Sequence, residues 1–353
     1  MRRFADAGNG ARTASLAGGD RRANQLPTRA ADDADPAGRS IEAVVQTPLS
    51  LQRVIAIVGP TASGKTAIAI AAAHRLKGEL VSVDSRQVYR HCDIGTNKPT
   101  LQELGGLSCR LVDVIDPGTP FTVADYQRLA MDAVTDIDRS GRLPVLQGGS
   151  GLYLRALLDG WNLADAPPNP ELRAKLEQRL ELEGPESLDA ELRRIDPASA
   201  ERAQRNPRRM IRALEIHAVT GRPPSVARES DPPPWSTTII GLDVPLAELD
   251  QRIEARLTQM LDAGWVDEVA RIRQAFPAAD LQRLGHGYPE LAAFLDGRLT
   301  LADARESTVR QVRQYARRQL TWFRADRRVR WLPADPDMIV ERLHVGMMTA
   351  EAS

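Results

Sequence analysis

Over residues 1–50 no helical or alternating apolar period can be traced, and Ala, Gly, Asp and Arg dominate, so the segment reads as a disordered extension. At Arg53 the texture changes. Residues 54–58 form a β-branched apolar run, followed by a glycine-rich turn, a helical stretch over 65–76 and a second strand-like run over 80–84, which together predict a βαβ unit. Two further apolar runs, 111–115 and 143–146, flank a helical segment from about 123 to 138. The region up to about residue 160 therefore reads as parallel α/β, with a sheet covered on both faces.

A proline-rich break at 166–170 opens a charged stretch with helical patterning over 171–182, 188–195 and 207–219, the last stopped by Gly221. A second break at 231–234 precedes a strand candidate over 237–244. Helices then dominate, over 248–263 and over 300–323, the latter opened by Thr300 and Asp303 at a capping-box spacing. The boundaries drawn are an extension over 1–50, the first part of an α/β core over 51–162, a helical insertion over 163–205, the continued core with C-terminal helices over 206–335, and a tail over 336–353.

The 353 residues suffice for about two domains, or one with an insertion. The longest apolar stretch stops at His74 and Arg75, well short of the roughly 20 residues of a membrane span. Two cysteines, Cys92 and Cys109, are too few for a disulfide framework, which points to a reducing, cytoplasmic setting. Aspartates at 6, 20, 32, 33 and 35 argue against a transit peptide. With 47 basic against 47 acidic residues the net charge is zero, so any nucleic-acid partner must be sought in local patches. Only Lys65, Lys77, Lys98 and Lys175 are lysines.

Lys65 lies in Gly59-Pro60-Thr61-Ala62-Ser63-Gly64-Lys65-Thr66, which fits G-x-x-x-x-G-K-[ST] between a predicted strand and a predicted helix. The glycines let successive N–H groups turn inward, the helix N-terminus adds positive potential, Lys65 neutralises phosphate charge and the Thr66 hydroxyl is a candidate Mg²⁺ ligand. The fold class is accordingly α/β, a P-loop NTPase-like parallel sheet core with a helical insertion and a helical C-terminal part. The motif does not say which phosphate compound binds. Asn97-Lys98-Pro99-Thr100 lacks the aspartate of a GTPase base-recognition element, and Asp113 and Asp116 read either as metal-binding carboxylates or as turn residues. Asp84 ends the strand after the P-loop helix, and parallel strands open on one crevice, so it is a candidate general base or a turn cap.

Beyond these, Asp84-Ser85-Arg86-Gln87-Val88-Tyr89, Asp93-Ile-Gly-Thr-Asn-Lys-Pro99 and Gly148-Gly149-Ser150-Gly-Leu-Tyr153 follow in order. So do Asn206-Pro-Arg-Arg-Met-Ile-Arg-Ala-Leu-Glu215, Gln251-Arg-Ile-Glu-Ala-Arg256 and Arg317-Arg-Gln-Leu-Thr-Trp-Phe-Arg324. With the P-loop, this series over about 53–332 closely resembles the tRNA dimethylallyltransferase (tRNA isopentenyltransferase) family. The resemblance implies transfer of a dimethylallyl group from dimethylallyl diphosphate to N6 of adenosine 37 beside the tRNA anticodon, with Mg²⁺, by a monomer. The P-loop then holds a leaving diphosphate. Arg256 becomes a further cation on it, and Asp84 the base that takes the amino proton.

As tRNA contacts the resemblance implies Ser85, Arg86 and Gln87 beside Asp84, then Ser150 and Arg173. It implies also the segment Arg208, Arg209, Met210, Ile211 and Arg212, and Arg317, Arg318, Gln319, Thr321, Trp322 and Arg324 near the C-terminus. Arg310, Arg313, Arg317 and Arg324 fall within about 60° of one another at the helical period, which suggests an RNA-backbone face. Ser150 stands where the family commonly has Thr, and Pro289 where many members have a cation. No Cys/His zinc-finger extension is seen, which favours the bacterial type. Two other readings compete: a P-loop small-molecule kinase, and a non-catalytic RNA-binding module.

Overall fold

The computed structural model describes residues 52–162, 169–227 and 230–351, and the expected N-terminal extension lies outside them. Six strands make one parallel sheet: β1 (Gln52–Val58), β2 (Gly78–Ser82), β3 (Cys109–Arg110), β4 (Leu143–Gly148), β5 (Trp235–Asp243) and β6 (Val329–Pro333). Their order is β3-β2-β4-β1-β5-β6. Successive side chains of a strand point to opposite faces, and β1 shows why it had to be apolar throughout. Val54, Ala56 and Val58 pack with Tyr126, Val134, Ile137, Leu157 and Phe323, whereas Ile55 and Ile57 pack with Ile68, Ala72, Ile240, Ile339 and Leu343. Helices cover both faces, as parallel sheets require.

Elements depart from expectation at three places. The apolar run 111–115 is not a strand: Leu111 and Asp113 adopt positive φ, 63° and 58°, which ends the ladder after β3. At the other edge, β6 adds to β5 with Ile239 opposite Val329, a pairing hidden in sequence by the arginines around it. Residues 336–351, expected as a tail, form the helix Pro336–Glu351, whose Ile339 and Leu343 are buried against the P-loop helix Lys65–Arg75.

The expected insertion, 163–205, is described from Asn169 onward, and a helix just past its boundary packs with it. The helices of this unit are Pro170–Glu183, Pro185–Ile195, Pro197–Ala203 and Pro207–Thr220, each with proline in its first turn. Asn169, Asp196 and Asn206 cap three of them by accepting a backbone N–H. Met210, Ile211, Ala213 and Leu214 pack against Leu176, Leu188, Leu192 and Ala200, so the last helix belongs to this core rather than to the sheet domain.

Under that helix the Glu215 carboxylate is wholly buried and takes a bidentate pair from Arg173, 2.9 Å from Nε to Oε1 and 2.6 Å from the second guanidinium nitrogen to Oε2. Arg212 adds a longer contact of 3.4 Å. Arg173→Ala is expected to destabilise the chain by about 1–3 kcal/mol, the cost of a buried acceptor left short of donors, measured by chemical denaturation.

Candidate active site

The cleft lies where the carboxyl ends of β1, β2 and β4 open, the usual ligand position in such sheets. From β1 the chain enters Gly59–Thr66. A side chain at Gly59 would meet Ser63 Oγ at 2.9 Å, and Gly64 sits at φ 87°, the left-handed turn that aims the next amides into the cleft. Helix Lys65–Arg75 starts there with no side-chain cap, leaving its first N–H groups for an anion. Lys65 Nζ donates to Pro60 O at 3.1 Å, and burial, then the nearby Arg256, bring its pKa down to about 8 while Asp84 opposes them. The Thr66 hydroxyl donates to Gln147 Oε1 at 3.3 Å. Ser63 Oγ is buried without a hydrogen-bond partner.

Asp84 follows β2 by two residues and lines the same cleft as Lys65 and Thr66. Its Oδ1 accepts the Arg86 N–H at 2.8 Å, a local turn that fixes the carboxylate and leaves the second oxygen for a ligand. Ser150 supports this turn: its Oγ accepts the Ser85 N–H at 3.0 Å, and its own N–H donates to Val83 O. Gln87, expected at the RNA, lines the cleft, and its buried amide accepts from Ser82 Oγ at 2.8 Å and donates to Asn97 O at 3.1 Å.

The opposite wall comes from helix Leu246–Asp262. One turn apart, Arg252 donates to Ser63 O at 3.4 Å, and Arg256 donates to Asn97 Oδ1 at 2.9 Å and Thr61 Oγ1 at 3.4 Å. Burial lowers the Arg256 pKa while Asp84 and Glu103 hold it up. A further turn along, Met260 joins Leu257, Trp265, Leu284, Val312 and Tyr315 in an apolar lining. The cleft thus has a cationic, amide-lined end and an apolar end around a cavity of about 110 Å³.

Sequence reasoning missed Asn97, Gln147, Trp265, His286 and Tyr315 as cleft residues. Two carried a signal: Gln147 stands directly before Gly148-Gly149-Ser150, and Asn97 lies within the Asp93–Pro99 block.

The residues expected at RNA divide. Arg208 and Arg209 are exposed at the start of their helix, but Met210 and Ile211 are buried in the helical subdomain, so their side chains pack rather than face a ligand. Gln319 is also inward: it accepts the Thr61 N–H at 2.9 Å and donates to Gly149 O at 2.8 Å, tying helix Leu301–Arg324 to the P-loop. Arg313 and Arg317 pair with Asp250 and Glu254, and Arg324 with Asp243 at 3.5 Å, so the arginine stripe meets acids from elsewhere in the chain. Arg318, Thr321 and the partly exposed Trp322 line a separate open groove with Arg155, Arg327 and Arg328.

A family model described as IPP transferase matches residues 87–326, more than half of the 353. The chain belongs to the IPP transferase family. A tRNA dimethylallyltransferase of Thermomicrobium roseum is 46% identical over 280 residues, covering 79% of this chain and 85% of that one. That of a Roseiflexus species is also 46% identical, covering 80% and 93%. Among solved structures, the tRNA isopentenylpyrophosphate transferase of Bacillus halodurans superposes with a TM-score of 0.63 at 38% identity, covering 84% of this chain and 96% of that one. A eukaryotic dimethylallyltransferase captured acting on tRNA gives 0.67 at 27% identity, covering 80% and 74%. The chain is therefore a transferase of tRNA-modifying type, and the kinase alternative is not favoured. The matched span of the family model begins after Asp84 and the P-loop, whose roles rest on the cleft geometry.

Proposed function

We propose that this IPP transferase moves a dimethylallyl group from dimethylallyl diphosphate to N6 of adenosine 37 in the tRNA anticodon loop. The observation that carries this reading is the two-ended cleft: a P-loop and two arginines at one end, an apolar lining at the other, and the Asp84 carboxylate on the same lining. As the amine attacks the allylic carbon, the carbon–oxygen bond breaks and its electron pair stays on diphosphate. The P-loop amides, Lys65 and Arg256 stabilise that charge, and Asp84 accepts the proton lost from N6. Burial of the apolar end keeps water from the allylic carbon. The adenine enters unstacked, a small cost for a loop base.

A Mg²⁺ ion fits these residues. Thr66 Oγ1 and the neighbouring Gln147 Oε1 offer oxygen ligands on one cleft, and Mg²⁺ is commonly held by one or two protein oxygens plus phosphates. Among the described residues no cluster of three or more His, Cys, Asp or Glu could hold a metal without the diphosphate. When bound, the ion would neutralise leaving-group charge from the Thr66 side.

The protein is read as a cytoplasmic monomer acting on one tRNA; among the described residues no helix is long and apolar enough to cross a membrane. The deciding experiment supplies labelled dimethylallyl diphosphate, Mg²⁺ and an unmodified anticodon stem-loop with adenines at 36 to 38, beside an ATP-hydrolysis control. Label on adenine 37 without ATP turnover is expected; ATP consumption without label would overturn the reading.

RNA binding is read from the groove lined by Arg318, Trp322 and Arg327, on which Arg155 and Arg328 are held by Asp159 and Asp326. Arg318→Ala should weaken stem-loop binding and reduce the slope of log affinity against log salt by about one. Arg313→Ala, which removes a pair with Glu254, should lower thermal stability and leave that slope nearly unchanged.

A further inference from the structure

Glu268 is a buried acid outside the cleft that the chemistry does not use. It stands in the first turn of helix Trp265–Ala275, 2% exposed. Four donors converge on its carboxylate: the Asp93 and Ile94 N–H groups at 2.8 and 2.7 Å on Oε2, and the Gly95 N–H and Tyr288 hydroxyl at 3.1 and 2.8 Å on Oε1. Three successive backbone amides turned onto one anion form a nest. Here the anion belongs to the protein, so the nest fastens the loop instead of binding a ligand.

The loop it fastens is the one that carries Asn97. Gly95 lies so close to Trp265 and Tyr288 that a side chain there would meet Trp265 Nε1 at 2.1 Å, which fixes the loop from its second face. Lys98 closes the far end, with Nζ 2.6 Å from both Asp93 and Asp113 carboxylates and 2.7 Å from Tyr89 O. Between these clamps, Asn97 presents Oδ1 to Arg256 Nε at 2.9 Å. Arg256 is half-buried, and it also donates to Thr61 Oγ1 in the P-loop. A guanidinium is planar, so the direction of its Nε–H bond sets where its remaining donors point.

We propose that Glu268 is a positioning residue of the donor site: by gathering the Asp93–Gly95 amides it sets Asn97, and through Asn97 it aims the Arg256 guanidinium at the diphosphate. The inference rests on the reading of the P-loop as a diphosphate cradle. Glutamine at this position keeps the size but replaces one acceptor oxygen by an NH₂ group that faces donors, so the nest cannot close. The effect reaches the donor and not the RNA, because the RNA groove lies on other elements.

The test is calorimetric binding of inorganic diphosphate with Mg²⁺ to the wild type, Glu268→Gln, Asn97→Ala and the double variant, with steady-state KM for dimethylallyl diphosphate and stem-loop affinity alongside. Glu268→Gln should weaken diphosphate binding and raise the donor KM about tenfold, the size of one misaligned hydrogen bond to a charged group, with stem-loop affinity within about twofold. The double variant should bind no worse than the weaker single one, since both act on the same arginine. Tyr288→Phe, which removes one donor and keeps the ring, should shift donor binding the same way by a smaller factor; this arm decides if Glu268→Gln does not fold. Lower melting temperature with unchanged diphosphate binding in these variants would overturn the inference, as would additive losses in the double variant. A wild type that binds no diphosphate would instead overturn the cradle reading.

Discussion

Asp84→Asn is expected to lower dimethylallyl transfer by about 10²–10⁴-fold, the range for loss of a positioned general base, while diphosphate and stem-loop affinities stay within a few-fold of wild type. Asparagine retains an Oδ1 that can accept the Arg86 N–H, so the turn after β2 keeps its shape. What disappears is the acceptor for the amino proton. An exocyclic amine is a poor nucleophile because its lone pair is delocalised into the ring, and removing its proton as the new bond forms relieves the positive charge on nitrogen. Single-turnover transfer with saturating stem-loop and donor measures the chemical step directly. An Asp84→Asn enzyme that transfers at the wild-type rate would remove Asp84 from the mechanism and leave positioning and leaving-group stabilisation to account for it.

Lys65→Ala should lower kcat/KM for the donor by about 10²–10³-fold, comparable to loss of one charge-stabilising donor at a developing anion. The same residue predicts a pH dependence with a definite sign. With its pKa near 8, Lys65 is charged below that pH and increasingly neutral above it. The negative charge of a bound diphosphate offsets the Arg256 repulsion and outweighs the burial penalty, which restores the charge. Donor binding should therefore weaken as pH rises from about 8 to 10 and should take up a proton in that window, seen as a buffer-dependent enthalpy in calorimetry. Lys65→Ala removes both the uptake and the slope. Wild-type binding that is flat across this range would show that the ammonium is not the titrating contact.

The P-loop was legible because its pattern is local: eight consecutive residues between a strand and a helix make the candidate anion site, and neither flank needs a distant partner. Asp84 was legible for a topological reason, since strands of one parallel sheet end on the same side. Met210 and Ile211 were not, because a motif read along the chain does not say which face of its helix is covered. The arginine stripe shows the same limit. Its periodicity was visible in helix Leu301–Arg324, but Asp243, Asp250 and Glu254, which neutralise most of it, lie some 60 to 80 residues away in sequence. The open groove beside Trp322 adds Arg318 and Arg327 to this surface, while Arg155 and Arg328 on the same groove pair with Asp159 and Asp326.

By itself the sequence determined the α/β core and the family, and it nominated the phosphate cradle and the base, because propensity, apolar period and short motifs are properties of neighbouring residues. Only the tertiary structure decided which side chains meet. It set Asn97 against Arg256 across 159 positions, Gln319 against Thr61 across 258, and Glu268 under the Asp93–Gly95 amides. Such contacts depend on how helices close over the sheet, and that packing follows from the burial of all the apolar faces together.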